Sequence, residues 1–233
     1  MSESPLILTW FVPPAPEALL ALFEGAPATR WRSGEILQRE TEPYDALYRI
    51  DEGVVGQAVI NHALAKPVAM NLYAKHTVPG FLNLFSGLPS PRRLIVQQPG
   101  AVVRRLPKAE ALERIRCDAA LLFLTARWCE EASKSELIGM EALFSLPAEE
   151  RLALFFTSAA LACGRLDAAR GVYELPVLLT RASLCDVVYV TDVTIDRLLA
   201  RWRRRGLVTR SASAGWAVDA GLVERTSRWL REH

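Results

Sequence analysis

The chain has 233 residues, 51% hydrophobic and 23% charged, which supplies a core for one large or two modest domains and excludes a disordered chain. The net charge of +2 carries no message about a polyanionic partner, but of 24 Arg and four Lys six Arg fall between Arg197 and Arg210, a span with no acidic residue. No apolar run reaches the roughly 18 residues of a membrane span, no basic n-region leads an apolar stretch at the N-terminus, and the four cysteines (Cys117, Cys129, Cys163, Cys185) lack metal-ligand or CxxC spacing, so a cytoplasmic, thiol-state protein without membrane contact is expected.

Glu17 to Phe23 reads as a short leading helix. From there to about Pro107, short strand-like runs alternate with Pro and Gly: WRSGEILQRE, ALYRIDEGVVGQAVI, KPVAMNLYA, RRLIVQQPG and AVVRRLP. Many closely spaced strands of this kind predict an antiparallel barrel or roll. After Pro107 the texture becomes helical, with no Pro before Leu146-Pro147. Cys117, Leu121, Leu124 and Trp128 follow at gaps of 4, 3 and 4, the start of a heptad-like seam for a partner helix, with an ordinary core-packing helix as the alternative. Ala148 to Ala162 is helical, followed by a loop through Gly171.

Residues 179–208, LTRASLCDVVYVTDVTIDRLLARWRRRGLV, carry the densest signal. Thr180 can cap a helix starting at Arg181, and Thr191 a second starting at Asp192. Leu179 with Leu184, and Val190 with Ile195, form the same hydrophobic staple at both starts. Ile195, Leu198, Leu199 and Trp202 make one apolar stripe, which leaves Asp192, Val193, Asp196 and Arg197 on the opposite strip. In a helix-turn-helix that strip enters the major groove, while Arg201 and the basic run after it meet phosphates. The plainer alternative is a helical hairpin with a solvated Arg face. A strand at Leu207–Thr209, a turn at Ser211–Gly215 and a strand at Trp216–Val218 then complete a wing. Asp192 and Asp196 form a like-charged pair one turn apart, and Ala200 offers Asp196 no cation four residues on.

The chain resembles the Crp–Fnr family of bacterial transcription regulators. The resemblance rests on SGEIL (33–37), ALYRIDEG (46–53), GFLNLFSGLPSPRR (80–93), EERLALFF (149–156), LTRASLCDVVYVTDVTIDRLL (179–199), RRGLV (204–208) and GWAVDAGL (215–222), in that order. It implies an α+β fold: an N-terminal antiparallel, jelly-roll-like β-roll over 1–107, a dimerisation helix and linker over 108–144, and a C-terminal winged helix-turn-helix over 145–233. It further implies a cytoplasmic homodimer that binds double-stranded DNA at a pseudo-palindromic operator through the helix at 191–203, with RNA polymerase as a further candidate partner. The DNA-binding residues would be Thr180, Arg181, Thr191, Asp192, Val193, Asp196, Arg197 and Arg201.

The departures from the family pattern narrow the effector. Where cyclic-AMP-binding members carry Gly-Glu and Arg-Ser or Arg-Thr, this chain has Gly80-Phe81 and Arg92-Arg93. Phe81 removes the acceptor for a ribose hydroxyl, which argues against cyclic AMP, although Gly80, Arg92 and Arg93 are the residues that would hold an anion. Exposure is the reading preferred for the two arginines. With no cysteine before Cys117 there is no N-terminal ligand group for an iron–sulfur cluster, and His62 and His76 are poor grounds for haem. No catalytic constellation is present, so an enzyme is not expected. The competing function is a family scaffold that has lost specific DNA reading and serves as a ligand-binding or protein-interaction module.

Overall fold

The computed structural model describes residues 6–61, 66–81, 84–85, 88, 91–176, 180–211 and 215–232. The fold is α+β, and the chain divides into two compact units, Val12–Ser133 and Met1–Phe11 with Lys134–His233.

The first unit begins with the short helix α1 (Glu17–Ala21), started by Pro16. Seven strands follow: β1 (Ala28–Trp31), β2 (Ile36–Gln38), β3 (Ala46–Glu52), β4 (Val55–Asn61), β5 (Lys66–Tyr73), β6 (Arg92–Val96) and β7 (Ala101–Pro107). They form two antiparallel sheets, ordered β1-β7-β3 and β2-β6-β4-β5. Alternation sets an inner face along β6, where Leu94 and Val96 are buried while Arg93 and Ile95 are half-buried. The expected roll is therefore present, with β1 as a strand the sequence reading had not marked.

Helix α2 (Lys108–Arg116) buries Ala111 and Ile115 against this roll. The helical stretch after Pro107 is not continuous. Cys117 closes α2, and Asp118 restarts the chain as α3 (Ala119–Ser145), its Oδ1 accepting from the Ala120 and Leu121 amides at 2.9 and 3.0 Å. Leu121, Trp128 and Ala132 of α3 belong to the roll core, and the Trp128 indole N–H donates to the carbonyls of Pro13 and Pro14 at 3.0 and 3.1 Å.

Of the two readings of Cys117, Leu121, Leu124 and Trp128, the core-packing helix holds and not the partner-helix seam: Leu121 and Trp128 pack inward and Cys117 lies outside α3. A different stripe faces out. Phe123, Ala126, Glu130, Ser133, Leu137, Met140 and Phe144 recur at alternating gaps of three and four, a heptad seam, and Phe123 and Phe144 are 70% and 87% exposed.

The second unit is built on α4 (Ala148–Cys163), buried continuously from Leu152 to Ala160. Around it lie β8 (Arg165–Asp167), β9 (Val172–Leu175), α5 (Arg181–Val188), α6 (Asp192–Arg204), β10 (Val208–Arg210), β11 (Trp216–Asp219) and α7 (Ala220–Glu232). The strands form one antiparallel sheet in the order β10-β11-β9-β8. The loop expected before Gly171 in fact contains β8, and α7, with Leu222, Val223 and Leu230 buried, was not anticipated. Phe156 is the aromatic hub, with ring centroids 5.6 Å from Phe155, 6.1 Å from Trp202 and 5.5 Å from Trp216. The N-terminal segment is part of this unit: Phe11 stacks against Phe155 at 5.9 Å, Thr9 Oγ1 bonds Ser158 Oγ at 2.8 Å, and Ser135 Oγ donates to the Leu8 and Phe11 carbonyls. No helix among the described residues is long and apolar enough to cross a membrane.

Candidate nucleic-acid interface

Both threonine caps are in place. Thr180 Oγ1 accepts from the Ser183 amide at 3.1 Å and Thr191 Oγ1 from the Thr194 amide at 3.3 Å, each satisfying a donor that the first helical turn leaves unpaired. Of the two staples, the first lies partly outside the described residues, because Leu179 does.

The connection between α5 and α6 turns on Tyr189, which has φ +52° and is exposed. A left-handed residue closes the end of α5, and the Val190 amide donates back to the Cys185 carbonyl at 3.1 Å. Arg151 of α4 steadies the corner by donating to the Tyr189 carbonyl at 3.3 Å and the Leu143 carbonyl at 3.0 Å. Burial lowers the pKa of that guanidinium.

Helix α6 sits as its pattern dictates. Ile195, Leu198, Leu199 and Trp202 are buried, while Asp192, Val193, Asp196 and Arg197 are exposed on one strip. The structure supplies the counter-ion that the helix itself lacks. Arg181 Nη1 lies 2.6 Å from Asp196 Oδ2, and its Nε lies 3.4 Å from Asp192 Oδ1. The Cys185 thiol also donates to Asp192 Oδ1 at 3.3 Å. Burial first, then this hydrogen bond and the Asp192 charge, push the Cys185 thiol up to about 11.

The basic run is divided among distinct partners. Glu149, in the first turn of α4, accepts from Arg201 at 2.7 Å and from the buried Trp202 indole at 2.9 Å, with Arg205 3.9 Å away. Arg203 and Arg210 lie over the Trp216 ring, 5.7 and 4.0 Å from its centroid. Arg197 and Arg204 are exposed and have no carboxylate partner among the described residues. Strands β10 and β11 pair from Val208↔Val218 to Arg210↔Trp216, forming the expected wing, and part of its turn (212–214) lies outside the described residues. The contacts of Glu149 with α6 and of Arg151 with the α5–α6 turn have no counterpart in the sequence expectations. The only sequence signal for them was the charged start of an otherwise apolar helix.

In the roll, Phe81 is 1% exposed and meets Trp128 edge to face with centroids 5.2 Å apart. Gly80 has φ +109°, and a Cβ there would stand 2.6 Å from the Tyr44 ring, so this spot accepts only glycine. The arginines do not match the expectation that they would be exposed. Arg93 forks onto Glu40 at 2.7 and 2.5 Å, a hydrogen-bonded pair that raises its pKa, and Arg92 donates to Gln57 at 3.2 Å. Burial raises the Tyr44 hydroxyl pKa well above its ordinary value. His76 holds a left-handed backbone position at φ +64°, its amide donating to Ile50 and its carbonyl accepting from Ala15, whereas His62 lies outside the described residues. Among the described residues no three His, Cys, Asp or Glu groups gather to hold a metal ion.

No protein-family model and no curated protein matches the sequence. Solved structures do match. FixK2 from Bradyrhizobium japonicum superposes with a TM-score of 0.74 at 16% identity, over 86% of this chain and 96% of that one. The c-di-GMP-responsive global regulator CLP of Xanthomonas campestris gives 0.66 at 12% identity, over 88% and 99%. A CRP-family transcriptional regulator from Thermus thermophilus gives 0.65 at 18% identity, over 86% and 96%. The chain thus has the fold of the CRP/FNR-type regulators along most of its length, with a β-roll unit and a winged helix-turn-helix unit.

Proposed function

We propose that this protein is a homodimeric, sequence-specific DNA-binding transcription regulator, with residues 1–107 as sensor roll apart from the Thr9–Phe11 segment that packs on α4, 108–144 as the dimerising and linking segment, and 145–233 as the DNA-binding domain. The observation that carries this reading is the doubly capped α5–α6 pair followed by the β10–β11 wing. It offers an open reading strip, Asp192, Val193, Asp196 and Arg197, with exposed arginines at the end of α6. Arg197 is the residue for a guanine O6/N7 contact, and Arg204 and the wing arginine Arg210 face phosphates. Thr180 and Thr191 act through their caps by placing the two helices. RNA polymerase is the further partner this reading implies, and the cytoplasm the compartment.

The outward heptad stripe of α3 supports the dimer. An apolar seam with Phe123, Leu137, Met140 and Phe144 buries its surface against the same stripe of a second copy. In the roll, the buried Phe81–Trp128 pair occupies the neighbourhood of Gly80, and Arg93 is already committed to Glu40. These contacts support regulation without cyclic AMP.

Selection from a pool of random duplexes tests the reading. The expected product is a pseudo-palindrome with half-sites about one helical turn apart, protected by a dimer. Arg197→Ala should cost about 1–3 kcal/mol of specific binding, and Leu137→Glu with Phe144→Glu should yield monomers in sedimentation and lose the operator. A pool that enriches nothing at low salt, with a partner protein retained instead, would favour the interaction-module alternative.

A further inference from the structure

Asp192 and Asp196 stand one turn apart on the strip of α6 that the DNA-binding reading turns toward base edges. Two bare carboxylates there would repel both each other and the duplex. They are not bare. Arg181, the first residue of α5, bridges them across the turn at 2.6 Å to Asp196 Oδ2 and 3.4 Å to Asp192 Oδ1. The Cys185 thiol fixes Asp192 further through the same Oδ1. Each carboxylate is therefore held by one oxygen. Asp192 Oδ2 and Asp196 Oδ1 keep no partner among the described residues, and both side chains remain more than half exposed.

We propose that Arg181 is an internal counter-ion and not a phosphate contact, and that it makes Asp192 and Asp196 a paired acceptor that reads amino-bearing base edges. The inference rests on the DNA-binding function proposed above. A carboxylate only accepts hydrogen bonds. In the major groove only cytosine N4 and adenine N6 donate, whereas guanine O6 and N7 and thymine O4 accept and are rejected. Val193, exposed between the two aspartates, offers an apolar surface to a thymine methyl on the neighbouring step. Arg197, adjacent to Asp196, supplies the opposite preference, so the strip discriminates in both senses. Arg181 is thus a positioning residue: it offsets one of the two negative charges and fixes the carboxylate rotamers before DNA arrives.

The test uses the full-length protein and the operator obtained by selection, read by fluorescence anisotropy. Half-sites selected by the wild type should carry cytosine or adenine at two positions that become unconstrained when Asp192→Asn/Asp196→Asn is used for the selection. Replacing cytosine by thymine at such a position (or adenine by guanine, which separates the two amine sources) should weaken wild-type binding by about tenfold. Arg181→Ala should weaken the wild type by about tenfold, but by less than about twofold in the Asp192→Asn/Asp196→Asn background, because the charges it balances are gone. An equal loss in both backgrounds would make Arg181 a phosphate contact and overturn the proposal, as would half-sites without an amine preference at these positions. If the wild type binds no duplex at all, the DNA-binding reading fails and takes this inference with it. Arg181→Lys, which keeps the charge but loses the fork, should fall between wild type and Arg181→Ala, while helix content and thermal melting show that each variant is folded.

Discussion

Glu149→Ala should loosen α6 from the body of its unit. In the structure Glu149 Oε1 accepts the indole N–H of Trp202 at 2.9 Å, and Trp202 is only 2% exposed. Removing that acceptor leaves a buried donor unpaired, which costs about 1–3 kcal/mol. The Arg201 and Arg205 contacts add little, because the Glu149 side chain is 36% exposed and solvent screens the pairs; roughly 0.5 kcal/mol covers both. The carboxylate also lies in the first turn of α4, where the helix dipole is worth about 0.3–1 kcal/mol. The expected loss is about 2–3 kcal/mol, or a Tm drop of roughly 5–10 °C by scanning calorimetry. Glu149→Gln keeps an oxygen for the indole and should lose only about 1 kcal/mol. If Gln costs as much as Ala, the indole bond is not the main contribution; if neither costs more than about 0.5 kcal/mol, the reasoning fails.

Three further outcomes follow from local geometry. Tyr189→Gly should stabilise the protein by about 0.5 kcal/mol in urea titrations, since relieving a left-handed residue outweighs the entropy of glycine, whereas Tyr189→Val should destabilise it. Phe81→Ala should cost about 3–5 kcal/mol because it empties a fully buried site against Trp128, and a loss under about 1 kcal/mol would mean that the roll is not filled by this side chain. At pH 8 a disulfide reagent should label Cys117 first, because Cys117 is exposed. Burial pushes Cys129 to about 11 and Cys163 to about 12, and Cys185 stands at about 11, so their thiolates are scarce until the pH approaches those values. Rapid labelling of two or more thiols in the folded protein would contradict this.

The features that rest on neighbours in the chain were legible in the sequence. Thr180 and Thr191 cap helices through residues three positions away, and the α6 stripe follows from 3.6-residue periodicity, so both could be placed without tertiary information. Most strands of the roll were marked as short strand-like runs between Pro and Gly turn signals, though β1 was not. Periodicity alone could not decide between the two apolar stripes of α3. Both have helical spacing, and which one faces the roll depends on what the roll leaves open for Trp128.

Contacts between distant residues belonged to the tertiary structure. Arg93 finds Glu40 across 53 positions, which turns a candidate anion-binding arginine into one whose fork is already filled. Arg181 finds Asp196 across 15 positions, which offsets one of the two charges of an unfavourable like-charged pair. The chain by itself determined where α5 and α6 begin, because their threonine caps and the periodicity of α6 act over a few positions. Only the tertiary structure decided which charges are balanced and which apolar faces stay open, because those depend on side chains that folding brings together from remote parts of the chain.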